Sequence, residues 1–174
     1  MQVRQVQVDL APIDAYTPGM LARYDNVFYV GVDDKQAIPA AFLSDLEKNA
    51  SATVCWLGSN IDEALARKPL ARALGLEYVG AAEERFRSVR YKGHELKKED
   101  PWTQMVKIAD RRRARALAAC HDDDAIVPYA VRCGRRFWYF ADVPSSFAIE
   151  GGRFLVYADL LHDILNEDHA PRRL

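Results

Sequence analysis

Two buried strands joined by one short helix constrain this chain more than any other feature of its sequence. Residues 27–30 (VFYV) form an apolar, β-branched and aromatic run that ends at Gly31. Residues 38–50 (IPAAFLSDLEKNA) have apolar side chains at helical spacing, and Pro39 suits a first helical turn. Residues 52–58 (ATVCWLG) form the next apolar strand. Strand, helix and strand with short links predict a parallel sheet with right-handed crossovers.

A second helix is expected after this strand, over residues 61–75 (IDEALARKPLARALG). Pro69 should kink or split this helix, because proline removes a backbone donor and clashes with the preceding turn. Gly75 should end it, because glycine accepts the left-handed conformation common just past a helix.

The second half of the chain changes to strand-like patterns. Hairpin turns are predicted at Lys92-Gly93 and at Cys133-Gly134, and residues 111–120 (RRRARALAAC) are ambiguous between helix and strand. Residues 153–165 (RFLVYADLLHDIL) read as a final apolar helix, and the valines of MQVRQVQV suggest a first strand. The predicted fold class is therefore α/β, with β-hairpin additions in the second half.

Composition restricts the function classes. The chain has 174 residues, of which 49% are hydrophobic and 28% are charged, and its net charge is -1. Such a chain suits one globular domain, and its charge provides no general attraction for nucleic acid or an anionic membrane. No apolar run approaches the roughly 20 residues that cross a bilayer. We expect neither a nucleic-acid partner nor a membrane span.

Polar residues follow both predicted strands of the first half. Asp33 and Asp34 come after the first strand, and Gly58, Ser59 and Asn60 come after the second. In parallel α/β sheets, ligands gather at the carboxyl ends of strands, so these five residues are the candidate ligand-binding site. Backbone N–H groups at the following helix would hold an anion there. The alternative is that the polar side chains only serve turns and helix caps.

Cys55 raises the question of a thiol nucleophile, since strand, turn and helix surround it. A nucleophile elbow places the reactive residue in the turn itself, whereas Cys55 lies three residues earlier, inside the strand. A buried thiol is therefore the preferred interpretation of Cys55. Ser59 is better placed, although the sequence assigns it no base.

No metal, cofactor or catalytic residue is predicted from the remaining motifs. His121 precedes three consecutive aspartates, which lack the spacing of a folded ligand set and suggest a solvated turn. The aromatic residues 137–140 alternate, so one pair should be core and the other pair needs a cover from elsewhere.

Several phrases of the chain resemble a known family. They are YTPGMLARYDNVFYVGVD, PAAFLSDL, VCWLGSNI, VPYAVRCGRRFWYFADVP and RFLVYADLLHDIL. Together they are similar to the N-terminal region of bacterial polysaccharide-deacetylase-like proteins. That region resembles a class I glutamine amidotransferase-like domain, which is flavodoxin-like and has helices on both faces of its sheet.

The resemblance implies a domain arrangement and a partner. Residues 1–166 would form the amidotransferase-like domain, and residues 167–174 would be a linker towards a deacetylase domain that is absent from this chain. That deacetylase domain of the same polypeptide would be the partner, together with a polysaccharide. The resemblance also implies exopolysaccharide metabolism, a cell-envelope or secreted location, and the loss of a signal peptide and of the first strand and helix.

No catalytic residue of the amidotransferase-like family can be assigned to this chain from the resemblance. The amidotransferase-like fold normally has Cys, His and Glu, whereas here the elbow cysteine and a C-terminal His-x-Glu pair are lacking. The expected function is a non-catalytic accessory domain that supports the deacetylase or contacts glycan. Two alternatives remain: a stand-alone thiol or serine hydrolase that uses Cys55 or Ser59, and a small-ligand binding module.

Overall fold

A computed structural model of the chain describes residues 7–98 and 101–143. Its helices are α1 (Ala40–Lys48), α2 (Ile61–Ala66) and α3 (Lys68–Leu74), preceded by single 3-10 turns at Ile13–Ala15 and Leu21–Arg23. Its strands are β1 (Asn26–Gly31), β2 (Thr53–Gly58), β3 (Leu76–Glu83), β4 (Ser88–Tyr91), β5 (His94–Lys97), β6 (Trp102–Ile108), β7 (Ala114–His121), β8 (Ile126–Cys133) and β9 (Phe137–Phe140).

Seven strands form one mixed sheet in the order β1-β2-β9-β8-β7-β4-β5. β1 pairs with β2 and β2 with β9 in parallel, whereas the remaining neighbours are antiparallel. The predicted α/β class is therefore confirmed. Both hairpins of the second half extend this same sheet, and β9 lies directly beside β2.

The part of the core between α1 and the β1–β2 pair is aromatic. Tyr29 and Trp56 lie opposite each other in the parallel register, and their ring centroids are 4.2 Å apart. Phe42 of α1 stacks on Tyr29 at 5.8 Å, which places α1 over this face of the sheet. Because all three side chains are at most 6% exposed, they fix how the strand–helix–strand unit closes.

A second, two-stranded sheet formed by β3 and β6 lies against the large one. The Tyr139 hydroxyl donates to the Gln104 carbonyl oxygen at 2.5 Å, and the Gln104 N–H donates to the Ala141 carbonyl at 2.7 Å. These hydrogen bonds join β6 to the end of β9. They give the buried polar groups partners where the two sheets meet.

The turn chemistry predicted from the sequence is confirmed. The second helix splits into α2 and α3, with Pro69 in the first turn of α3, and Gly75 ends it at φ 69°. Lys92 and Gly93 have φ values of 46° and 82°, as a two-residue hairpin with positive φ at both central positions requires.

Some other predictions from the sequence differ from the structure, and some fall on residues that the structure does not describe. Residues 111–120, ambiguous in sequence, form a turn and most of β7. All four aromatic residues of β9 are buried, so neither pair stays uncovered. The predicted first strand falls partly on residues 1–6, which are not described, and residues 7–12 have no regular structure. The predicted final helix and the linker 167–174 also lie outside the described residues.

No helix in the described ranges is both long and apolar enough to cross a membrane.

Candidate functional site

The carboxyl ends of β1 and β2 lie side by side and form an edge, here called the rim, which carries the candidate residues Asp33, Asp34, Gly58, Ser59 and Asn60. The two strands are parallel neighbours, and Gly31 lies opposite Gly58 in the register. The loop that carries Asp33 and Asp34 therefore lies beside the turn that carries Ser59 and Asn60, as the sequence indicated. Whether this rim binds a ligand stays a prediction.

The backbones of β1 and β2 approach each other closely at the rim. The Ser59 N–H donates to the Gly31 carbonyl oxygen at 2.9 Å, so it is already engaged inside the chain. A Cβ atom on Gly31 would lie 2.6 Å from the Ser59 carbonyl oxygen, and one on Gly58 would lie 2.5 Å from the Gly31 carbonyl oxygen. Glycine is thus required at both strand ends by the close approach of the two backbones.

Asn60 holds the loop after β1. Its amide nitrogen lies 2.9 Å from the Asp33 carbonyl oxygen, 3.2 Å from the Gln36 carbonyl oxygen and 2.9 Å from the Tyr29 hydroxyl oxygen. Asn60 is 3% exposed and has a left-handed φ of 68°. It occupies the N-cap position of α2, yet its side chain makes no cap hydrogen bond. The capping role considered for Asn60 is therefore replaced by a loop-anchoring role.

The solvent side of the rim is acidic. Asp33, Asp34 and Asp62 are exposed, and Glu63 is half-buried beside them, where it accepts the Ile38 N–H at 3.3 Å. Burial raises the pKa of Tyr78, and the negative charges of Asp62 and Asp34 raise it further. Exposed Lys35 follows Asp34 in the same loop, but the four acidic side chains leave the rim negative on balance, which disfavours a bound anion.

The thiols lie in the interior, as predicted for Cys55. Cys55 is 2% exposed, and burial raises the pKa of its thiol to about 12. Burial also raises the pKa of Cys133 to about 12 and raises that of Cys120. A thiol nucleophile needs a lowered pKa and access to substrate, so none of these three cysteines has the properties of a catalytic thiol.

Ser59 stands apart from the described histidines. His121 lies on β7, and β9 and β8 separate that strand from β2. Three strand spacings amount to about 14 Å, which is too far for a general base to reach the Ser59 hydroxyl.

A polar cluster on β4, β5 and β7 was missed by the sequence reasoning. The Ser88 hydroxyl lies 3.0 Å from His121 Nε2, and Glu95 Oε1 lies 3.5 Å from the same nitrogen. The Ser88 hydroxyl also lies 3.4 Å from His121 Nδ1, so it faces both ring nitrogens, whereas a catalytic triad needs the serine and the carboxylate each aligned with its own, opposite nitrogen. Only strand pairing brings these residues together, which explains why sequence spacing gave no signal.

A buried ion pair was also missed. Lys98 Nζ lies 3.0 Å from Asp142 Oδ2, and both side chains are at most 3% exposed. The Tyr129 hydroxyl donates to Asp142 Oδ1 at 2.6 Å, and the Lys98 ammonium also donates to the Trp102 carbonyl oxygen. Since solvent cannot reach this cluster, it serves the structure by tying the end of β9 to the segment after β5.

A pocket of about 300 Å³ lies away from the rim. It is lined by Leu46, Leu74, Cys133 and Phe137, and Phe137 pairs with Val54 near the start of β2. Within the described ranges, no group of three or more His, Cys, Asp or Glu side chains is arranged to hold a metal ion.

Comparison with known proteins gives a likeness of fold. No protein-family model matches the chain, and no curated protein matches it. Among solved structures, the exo-β-1,4-mannosidase Op5Man5 from Opitutaceae bacterium strain TAV5 is similar over 82% of this chain, with 13% sequence identity and a TM-score of 0.50. The chain spans about a quarter of that enzyme, 24% of its length.

Proposed function

We propose that this chain is a non-catalytic accessory domain of a carbohydrate-active protein, with the amidotransferase-like arrangement that its sequence resembles. The observation that carries the proposal is the structure of the rim, where no side chain is presented as a nucleophile. At the turn where such a fold would present a nucleophile, the Ser59 N–H is already bonded to the Gly31 carbonyl oxygen, and the neighbouring Cys55 thiol is buried.

The partner in this proposal is a polysaccharide-deacetylase domain of the same polypeptide, as the sequence resemblance implies. Exopolysaccharide metabolism at the cell envelope is the corresponding biological setting.

The test of this proposal is a turnover assay on the whole chain with panels of esters, amides and acetylated sugars. We expect no turnover above that of the Ser59→Ala, Ser88→Ala and Cys55→Ala variants. Hydrolysis that one of these substitutions abolishes, in a variant that keeps the native circular dichroism spectrum, would contradict the proposal and favour the hydrolase alternative.

A second experiment separates glycan contact from passive support. Chemical-shift changes on adding neutral or amino-sugar oligosaccharides, confined to residues around Asp33 and Asp34 and absent in an Asp33→Asn/Asp34→Asn variant, would show direct contact. An unchanged spectrum at millimolar sugar would leave the support of a neighbouring domain as the role.

A further inference from the structure

The pocket of about 300 Å³ lies at the end of the sheet opposite the rim, where β2 and β9 begin. It is bounded by the carboxyl end of α1, by α3 and by the turn between β8 and β9. All the residues that line it belong to the described part of the chain. Five of them are apolar and at most 6% exposed, and they are called the floor here: Leu46, Leu70, Leu74, Cys133 and Phe137.

The mouth of this pocket is basic. Arg135 and Arg136 line it from the turn between β8 and β9, and both are exposed. The Arg136 guanidinium donates to the Ser51 carbonyl oxygen, which holds its position and uses one of its five N–H donors. Glu47 also lines the pocket, but its carboxylate already accepts a hydrogen bond from Arg67. Three arginines and one glutamate leave the mouth positive, so it favours an anionic group.

Below the mouth, the pocket is poorly suited to a sugar. Asn49 is the uncharged polar residue of the lining, and its side chain is bonded to the backbone: it donates to the Ala52 carbonyl oxygen and accepts the N–H groups of Ser51 and Ala52. A sugar would therefore lose hydrogen bonds to water there without replacing them. An alkyl chain has no such loss, and it is stabilised by leaving water for an apolar floor.

We propose that this pocket binds a medium-chain fatty acid, with the alkyl chain against the floor and the carboxylate at Arg135 and Arg136. The planar guanidinium group matches a carboxylate in both charge and shape. The volume lies at the lower end of the usual range for small-molecule sites, about 300–1,000 Å³, and so suits one short chain and not a two-chain lipid. Because the pocket is separate from the rim, this inference does not depend on the proposed accessory role.

Titration of the isotope-labelled whole chain with octanoate, followed by NMR chemical shifts, tests the proposal. We expect saturable shifts of the backbone amides of Leu46, Ala73 and Phe137. Octanol has the same chain without the charge and should bind about threefold more weakly or less, because exposed ion pairs contribute modestly. Acetate has the charge without the chain and should bind more than about tenfold more weakly, because it buries far less apolar surface.

Two matched tryptophan variants locate the site. Ala73→Trp should abolish octanoate binding, because Ala73 is exposed and lines the pocket, so that a large ring there fills the mouth. Ala40→Trp is the control and should bind like the wild type, since Ala40 is also exposed but lies at the other end of α1. Arg135→Gln should weaken binding about threefold. A wild-type chain without saturable shifts at about 10 mM octanoate would overturn the proposal. So would unchanged binding in an Ala73→Trp variant that keeps the native circular dichroism spectrum.

Discussion

Asn60 shows how a residue of the candidate site can serve the fold. One amide nitrogen lies within 3.2 Å of three oxygens, two of them backbone carbonyls of the loop after β1. An amide has only two N–H donors, so the three oxygens share them. Sequence reasoning placed Asn60 at the rim, but its partners depend on how the 33–36 loop folds back, which the local sequence does not show.

Asn60→Asp should therefore destabilise the folded chain. The carboxylate cannot donate, so the free energy of unfolding should fall by roughly 2–3 kcal/mol, as measured by urea denaturation. Asn60→Gly is the control, because it removes the same bonds but relieves the positive φ of 68°. It should lose less stability than Asn60→Ala, and equal losses would show that backbone strain is negligible there.

The buried pair of Lys98 and Asp142 gives a second prediction. Lys98→Met or Asp142→Asn should each cost roughly 3–5 kcal/mol of unfolding free energy, because the remaining partner keeps an uncompensated buried charge or donor. The double variant Lys98→Met/Asp142→Asn should cost clearly less than the sum of the two single losses. Additive losses in denaturant titrations would mean that the two groups do not interact.

The carboxylate of Asp45 should make the stability of the fold depend on pH in the acid range. The Tyr16 hydroxyl, at 2.7 Å, and the Gly19 N–H, at 2.6 Å, donate to its carboxylate and lower its pKa. The pKa of Asp45 is lower in the folded state than its ordinary value of about 3.9. Ionised Asp45 therefore stabilises the fold at pH values above about 3.9. This contribution is lost as the pH falls through the lowered pKa.

Melting temperatures measured between about pH 6 and pH 2 test this linkage. Asp45→Asn should melt below the wild type near neutral pH, and the difference should shrink in acid. A difference that is constant with pH would show that the carboxylate charge is not what holds the loop onto α1.

At the scale of elements, the ends of β1 and β2 are held by a glycine pair. Gly58→Ala should cost more than about 2 kcal/mol, because φ is 79° and a Cβ atom would lie 2.5 Å from the Gly31 carbonyl oxygen. Gly19→Ala is a matched control, since Gly19 also has φ 79° but no atom within 4 Å of the added Cβ. Equal unfolding free energies for the two variants would contradict the close packing of the rim.

The elements that the sequence predicted share one property: their signals are local. The apolar run of β1, Pro69 in the first turn of α3, and the Lys92-Gly93 turn each act within a few residues. β7 was ambiguous because alanine and arginine suit a helix, and its extended form depends on pairing with β4 and β8. Tertiary pairing overrides helix propensity in such a stretch.

At the scale of the whole molecule, the α/β class could be predicted, but the strand order could not. The sequence could not show that β9 inserts beside β2, since this contact joins residues some 80 positions apart and depends on the whole core. For the same reason, the Ser88–His121–Glu95 cluster and the Lys98–Asp142 pair, which depend on non-local pairing, gave no sequence signal. The rim was found because both of its loops directly follow predicted strands.

We propose that no described residue of this chain acts as a catalytic nucleophile. Labelling the native chain with iodoacetamide and with a fluorophosphonate, followed by peptide mass spectrometry, tests it most directly. The structure predicts that Cys55 reacts only after denaturation and that neither Ser59 nor Ser88 is labelled. Rapid native modification of any of these three residues, at a rate above that of the free amino acid, would contradict the account.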